Sequence, residues 1–200
     1  MEKDHLNRRP DYRLLVIGGS AGSLDVLLTL LPDLHADLPL AVVVVTHRKN
    51  NTDSVLVELC ADRTTLRVKE AEDKEDIRPG TVYLAPADYH LLIEKNFVFS
   101  LDASEKELFS RPSINATFET AAEAYGSSLI CLLLSGANAD GAAGLKKVKE
   151  QDGFVMVQNP NSAIIAYMPR QALDVVAADR VIDKEQMAAV INELGKYKSD

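Results

Sequence analysis

Apolar runs alternate with amphipathic segments along most of the chain. Residues 40–45 and 129–134 are uninterrupted apolar runs, which is typical of strands buried on both faces of a parallel sheet. Further strands are predicted at 14–17, 66–69, 81–85 and 154–157, an antiparallel hairpin at 90–94 and 97–101, and helices at 24–31, 54–60, 114–125, 169–178 and 183–194, with one more after Gly141. Because strands and helices alternate, we expect an α/β fold: a single doubly wound, mainly parallel sheet with helices on both faces and one antiparallel hairpin.

The composition is that of one ordinary soluble domain. The 200 residues are 46% hydrophobic and 26% charged, and no apolar run approaches the roughly 20 residues of a membrane span. We expect a polar N-terminal arm at 1–12 and one globular domain at 13–195. The N-terminus lacks the form of a secretory signal. The two cysteines, both in apolar segments, favour a reducing cytoplasm over a disulfide framework.

Charge and ligand spacing remove two classes of function. A net charge of −8 disfavours non-specific nucleic-acid binding, which needs a concentrated basic face. No Cys/His cluster has the spacing of a metal site. We therefore expect no nucleic-acid partner, no metal and no organic cofactor.

The first predicted strand runs directly into a serine flanked by glycines. Gly18, Ser20 and Gly22 match G-x-S-x-G, the nucleophile elbow, in which a helix start lies beside the serine. The N–H groups of that helix start can stabilise an oxyanion. A glycine-rich turn that only joins strand to helix remains an alternative. A dinucleotide-binding turn fits poorly, because Ser20 occupies the second glycine position and Thr46 and His47 stand where an acidic residue is expected.

Three polar residues follow the carboxyl ends of predicted strands: Ser20, His47 and Asp140. If these strands are neighbours, the three side chains share one crevice. A hydroxyl, an imidazole and a carboxylate are the groups of a serine hydrolase, in which the base activates the hydroxyl and the acid orients the base. Taken alone, Asp140 is more typical of a helix N-cap, because it directly precedes Gly141 and two alanines.

The other histidines fit surface or structural roles better. His5 lies in the arm and His35 in a loop, whereas His90 begins the hairpin, where a structural hydrogen bond is favoured over catalysis. No histidine follows Asp140, so the Ser, Asp, His order of the α/β-hydrolases is not available.

With these motifs in this order, the chain resembles the catalytic domain of the chemotaxis protein-glutamate methylesterases, the CheB family. The resemblance extends from about Leu14 to Ala177. It rests on residues 17–22, 46–47, 85–90, 111–113, 135–142 and 166–170.

The resemblance implies a Ser-His-Asp triad at Ser20, His47 and Asp140. It also implies hydrolysis of methyl esters on glutamate side chains of chemoreceptor cytoplasmic helices, which would be the protein partner, with release of methanol. Some members also deamidate receptor glutamines. We expect the main-chain N–H groups of Ala21 and Ala137 to hold the oxyanion, and the glycines beside them, Gly22 and Gly136, to shape the site.

The chain also departs from the family pattern. The elbow carries Ser-Ala-Gly-Ser instead of Ser-Thr-Gly-Gly, Thr46 stands where glutamine is common, and Ala137 where methionine is common. We expect no N-terminal receiver domain, and hence no regulation by phosphorylation in cis. Two alternatives therefore stay open: an esterase or amidase of the same fold with another substrate, and a catalytically idle module that binds signalling proteins.

Overall fold

The computed structural model describes residues 11–47 and 53–196. In chain order its elements are β1 (Leu14–Gly19), α1 (Ser23–Leu30), β2 (Ala41–Thr46), α2 (Asp53–Ala61), β3 (Arg67–Glu70), β4 (Thr81–Leu84), β5 (His90–Ile93), β6 (Phe99–Asp102), α3 (Ile114–Tyr125), β7 (Leu129–Leu133), α4 (Ala142–Glu150), β8 (Phe154–Gln158), α5 (Tyr167–Val175), β9 (Arg180–Ile182) and α6 (Lys184–Gly195). Short 3₁₀ turns follow α1 and α3. Within the described ranges, no helix is long and apolar enough to cross a membrane.

Seven strands form one parallel sheet in the order β3-β4-β2-β1-β7-β8-β9, and β5 and β6 form a separate antiparallel pair. The predicted α/β fold with one hairpin is confirmed. From β1 the chain builds one half of the sheet through β2, β3 and β4, and the other half through β7, β8 and β9. In doubly wound sheets, ligands bind at the carboxyl ends of the strands where the direction of winding reverses. Here that position lies between β1 and β7.

The sheet is covered on both faces, as its continuous apolar strands require. Successive residues of β1 point to opposite sides. Leu14 and Val16 pack in the core that includes α3, α4 and α5, whereas Leu15 and Ile17 pack in the core that includes α1, α2 and α6. Helices therefore pack against β1 on both faces of the sheet, and the turn that follows β1 begins from a fully buried strand.

Two parts of the structure extend the sequence prediction. The edge strand β9 was not predicted, because Arg180 and Val181 are exposed and leave no apolar run to recognise. The predicted arm at 1–12 lies almost entirely outside the described residues. Of its last two residues, Tyr12 is buried and packs edge-on against Phe154 at a centroid distance of 5.8 Å.

Candidate functional site

The turn between β1 and α1, residues 20–22, places Ser20 at the carboxyl edge of the sheet. Gly22 closes this turn with φ 85°, in the left-handed region. A Cβ at Gly22 would lie 2.7 Å from the Ser135 hydroxyl oxygen and 2.8 Å from Ile164 Cβ. Glycine is therefore required here by conformation and by space.

Ser20 and His47 line the same cleft, which has a volume of about 300 Å³. Their strands are neighbours, because β1 pairs with β2 in the register Gly19 to Thr46. Apolar side chains of α1 and α2 form much of the remaining wall, namely Leu24, Leu27, Val55, Leu56 and Leu59. The cleft thus combines a hydroxyl and an imidazole with an apolar lining.

His47 is in direct contact with Asp140, as the strand-end argument predicts. The distance between His47 Nε2 and Asp140 Oδ2 is 2.7 Å. Asp140 is completely buried, whereas the His47 side chain keeps 13% of its surface exposed. The contact joins the end of β2 to the loop after β7, which lie on either side of β1. An imidazole partly open to the cleft is therefore backed by a carboxylate shielded from solvent.

Two main-chain donors also hold the Asp140 carboxylate. It accepts the N–H of Ile114 at 2.7 Å and the N–H of Asn115 at 2.9 Å, whereas the Ser113 hydroxyl lies 3.3 Å away and donates to the closer Glu107 carboxylate at 2.7 Å. Ile114 and Asn115 open α3, so the carboxylate lies at a helix N-terminus, where negative charge is stabilised. Burial by itself raises the pKa of Asp140, but the hydrogen bonds from His47, Ile114 and Asn115 outweigh burial and lower that pKa. Asp140 is therefore held as a carboxylate.

The helix-cap interpretation of Asp140 is wrong in one respect. The carboxylate accepts N–H groups from the start of α3, and the N-cap of α4 is Gly141. Asn115 satisfies α4 instead, because its Oδ1 accepts the N–H groups of Gly141 and Gly144, both at 2.9 Å. The starts of α3 and α4 are thus linked in both directions. Asp140, which precedes α4, binds the N–H groups of α3, and Asn115 of α3 binds the N–H groups at the start of α4.

The expected oxyanion donors lie on two adjacent loops. Neither the N–H of Ala21 nor that of Ala137 has a hydrogen-bond partner in the described part of the chain. Both residues are exposed. Gly136 is buried against Met168, and a Cβ at Gly136 would lie 2.5 Å from Met168 Cε. A side chain at Gly136 would therefore force Met168 to move.

The buried Ser135 joins these two loops. Its hydroxyl donates to the carbonyl of Ala21 at 2.8 Å and accepts the N–H of Ile165 at 2.9 Å. Its main-chain carbonyl accepts the Ser20 N–H at 2.9 Å. Sequence reasoning did not identify Ser135, nor Ser113 and Asn115 around Asp140. Two signals in the sequence could have indicated them. Ser135 directly follows a fully apolar strand, and Ser113 and Asn115 lie at the start of a predicted helix.

Among the described residues, neither of the other two histidines forms a hydrogen bond with His47 or Asp140. His90 is buried and structural: its Nδ1 accepts the Ser113 N–H at 3.1 Å, and its Nε2 lies 2.9 Å from the Glu105 carbonyl. His35 is exposed, and His5 lies outside the described residues. Within 11–47 and 53–196, no group of three His, Cys, Asp or Glu side chains could hold a metal ion.

Known proteins match this chain over most of its length. A family model described as CheB methylesterase matches residues 15–191. The chain is 44% identical to a putative protein-glutamate methylesterase/protein-glutamine glutaminase of Leptospira interrogans, over 92% of this chain and 95% of that protein. It is 36% identical to protein-glutamate methylesterase/protein-glutamine glutaminase 2 of Methanosarcina acetivorans, over 93% of this chain but only 54% of that protein.

A solved structure is similar as well. The crystal structure of the Thermotoga maritima CheB methylesterase catalytic domain superposes with a TM-score of 0.88 and 34% sequence identity. The match covers 92% of this chain and 100% of that one. The structural resemblance therefore extends over most of this chain.

Proposed function

Because this chain belongs to the CheB methylesterase family, we propose that it hydrolyses methyl esters of glutamate side chains in chemoreceptors and releases methanol. The observation that carries the proposal is the contact of His47 with the buried Asp140 in the cleft that Ser20 lines. The names of the relatives include glutaminase. Deamidation of glutamine uses the same acyl chemistry with ammonia as the leaving group.

In the proposed mechanism, Ser20 is the nucleophile and His47 the general base. Nε2 of His47 is occupied by Asp140, so Nδ1 is the nitrogen that takes the Ser20 proton. The carboxylate favours the tautomer with the proton on Nε2, which leaves the Nδ1 lone pair free. Once Nδ1 is protonated, the negative charge of Asp140 stabilises the imidazolium.

The ester carbonyl then becomes an oxyanion, for which we propose the N–H groups of Ala21 and Ala137 as donors. Loss of one such donor typically costs about 3 kcal/mol of barrier. The protonated His47 returns its proton to the departing methoxide, and methanol leaves. Water activated by His47 attacks the acyl-enzyme and releases glutamate and free Ser20.

The apolar lining of the cleft favours an uncharged ester over the acid that forms from it. Leu24, Val55 and Leu56 present no partner for a carboxylate, and an unpaired charge in apolar surroundings is unfavourable. The methyl ester therefore binds more readily than its product. This difference would help glutamate to leave.

We further propose that the substrate is a protein helix of the receptor's cytoplasmic part, which places the enzyme in the cytoplasm. The proposed steps use side chains and main-chain groups of this chain alone.

Labelling with a fluorophosphonate tests the serine hydrolase chemistry. We expect one modified residue, Ser20, and loss of labelling in Ser20→Ala and His47→Ala. The matched controls are Ser162→Ala and His35→Ala, which change an exposed serine and an exposed histidine and should label like the wild type. Labelling that persists in Ser20→Ala, or that maps to another residue, would contradict the proposal.

A further inference from the structure

The side chain of Ser23 contacts the main chain of the residue that carries the nucleophile. Ser23 opens the helix and is 2% exposed. Its hydroxyl donates to the Ser20 carbonyl at 2.6 Å, and its N–H donates to the same carbonyl at 3.0 Å. The N-cap of α1 is Gly22, which forms no side-chain cap. Two donors of one residue thus fix the carbonyl of the residue that carries the nucleophile.

Fixing that carbonyl also fixes the N–H of Ala21. The two groups belong to the same planar trans peptide, in which C=O and N–H point in opposite directions. With the Ser20 carbonyl held toward Ser23, the Ala21 N–H must point away from the first turn of α1. Ser23 therefore controls the direction of an N–H group without contacting it.

A second buried hydroxyl holds the next peptide. Ser135 lies 2.8 Å from the Ala21 carbonyl and 3.2 Å from the Ile165 carbonyl. A hydroxyl has only one hydrogen to donate, and the shorter contact is to Ala21. The N–H of Ile165 donates to the Ser135 oxygen at 2.9 Å and restrains it. Both peptides that flank the Ala21 Cα are thus held by buried serine hydroxyls.

We propose that Ser23 and Ser135 are positioning residues that orient the Ala21 N–H toward the oxyanion before substrate binds. This inference rests on the proposed function, in which Ala21 is an oxyanion donor. Donors fixed in advance are effective because they need no reorganisation when charge develops. The two serines therefore act on the transition state more than on the bound ester.

Kinetics of Ser23→Ala separate this role from a purely structural one. Removal of a whole oxyanion donor lowers kcat by about 10²–10³-fold. In Ser23→Ala the donor remains but is less restrained, so we expect kcat to fall about 10-fold while KM stays within about twofold. Binding of a trifluoromethyl ketone, which forms an oxyanion on Ser20, should weaken by the same factor as kcat/KM. Ser23→Gly removes the same hydroxyl without leaving a buried methyl group and should behave alike.

Thr29→Ala is the matched control, because the Thr29 hydroxyl donates to the Asp25 carbonyl of the same helix at 2.9 Å. It should leave kcat unchanged. Ser135→Ala should lower kcat as well. The effects of Ser23→Ala and Ser135→Ala should not multiply in the double variant, because both act on Ala21.

Titration with fluorophosphonate gives the fraction of folded, labelled enzyme for each variant. Values of kcat per labelled site within twofold of the wild type in both Ser23 variants would overturn the inference. Failure of the proposed function would give a different result, because Ser20→Ala would then keep its esterase activity. If Ser20→Ala is inactive but Ser23→Ala and Ser23→Gly are unimpaired, the inference alone is wrong.

Discussion

Substitution of Asp140 by asparagine tests how the carboxylate supports both the fold and the base. Both carboxylate oxygens accept hydrogen bonds: Oδ2 from His47 and Ile114, and Oδ1 from Asn115. In Asp140→Asn one oxygen becomes an NH₂ group. Whichever oxygen is replaced, the new donor faces an existing N–H group in a site with no solvent exposure.

The loss is therefore one or two charge-assisted hydrogen bonds. At about 1.5–3 kcal/mol each, Asp140→Asn should lower the free energy of unfolding by about 1.5–6 kcal/mol. Domains in the upper part of the ordinary range of stability, about 5–15 kcal/mol, remain folded after such a loss. The activity should fall much further, by up to about 10⁴-fold in kcat, because the imidazolium loses its anionic partner and, where the new NH₂ group faces Nε2, the imidazole takes the tautomer that cannot accept the Ser20 proton.

The pH dependence of stability gives an independent check. The pKa of Asp140 is lowered in the folded state, so the ionised carboxylate stabilises the fold. Its contribution is fully present above the unfolded pKa of about 3.9 and is lost as the pH falls through the folded pKa. The difference in unfolding free energy between wild type and Asp140→Asn should therefore be largest near pH 7 and should shrink below about pH 4.

Urea unfolding between pH 3 and pH 7, together with kcat measured by methanol release, provides both results. Asp25→Asn is the control, because Asp25 forms an exposed ion pair with Lys184 at 2.6 Å and such pairs contribute at most about 1 kcal/mol. A difference for Asp140→Asn that stays constant over this pH range would refute the assigned role of the carboxylate. So would a kcat close to that of the wild type.

Three other outcomes are expected. Gly22→Ala should lower the free energy of unfolding by about 2–5 kcal/mol, because Gly22 has a positive φ and a Cβ there would clash with Ser135 and Ile164. The control Gly80→Ala, at φ 71° in nearly open space, should lower it by only about 1–2 kcal/mol. Equal losses in urea unfolding would contradict this expectation. Asn115→Ala should lower stability by about 1–2 kcal/mol and reduce kcat, because the start of α4 beside Asp140 loses its acceptor; unchanged kcat would show that the cap does not support the site. Burial raises the pKa of the Cys131 thiol, so Ellman's reagent should modify Cys131 only after unfolding in guanidinium, and stoichiometric modification of the native protein would be inconsistent with the fold.

The elements nearest the site were predictable because their signals are local. A fully apolar run predicts a strand buried on both faces. The G-x-S-x-G motif predicts a sharp turn that places Ser20 at the carboxyl end of the first strand. That Ser20, His47 and Asp140 share one edge required a further assumption, that β2, β1 and β7 are neighbours. The observed strand order confirms that assumption.

The polar contacts around Asp140 were not predictable from local pattern. Asp140 directly precedes Gly141, so the local signal indicates a cap of the following helix. The actual donors, Ile114 and Asn115, lie about 25 residues earlier in the chain and reach the carboxylate only through the packing of α3 against α4. Periodicity reports which side of an element is buried, but not which donors meet a buried carboxylate across two elements.

Methanol release from a methyl-esterified chemoreceptor cytoplasmic fragment, measured with wild type beside Ser20→Ala, tests the central claim most directly. The account predicts catalytic release by the wild type and release at the uncatalysed rate by Ser20→Ala, with the Ser162→Ala control indistinguishable from wild type. Equal release by wild type and Ser20→Ala, or no release by a wild type that a fluorophosphonate labels at Ser20, would contradict the proposed methylesterase activity.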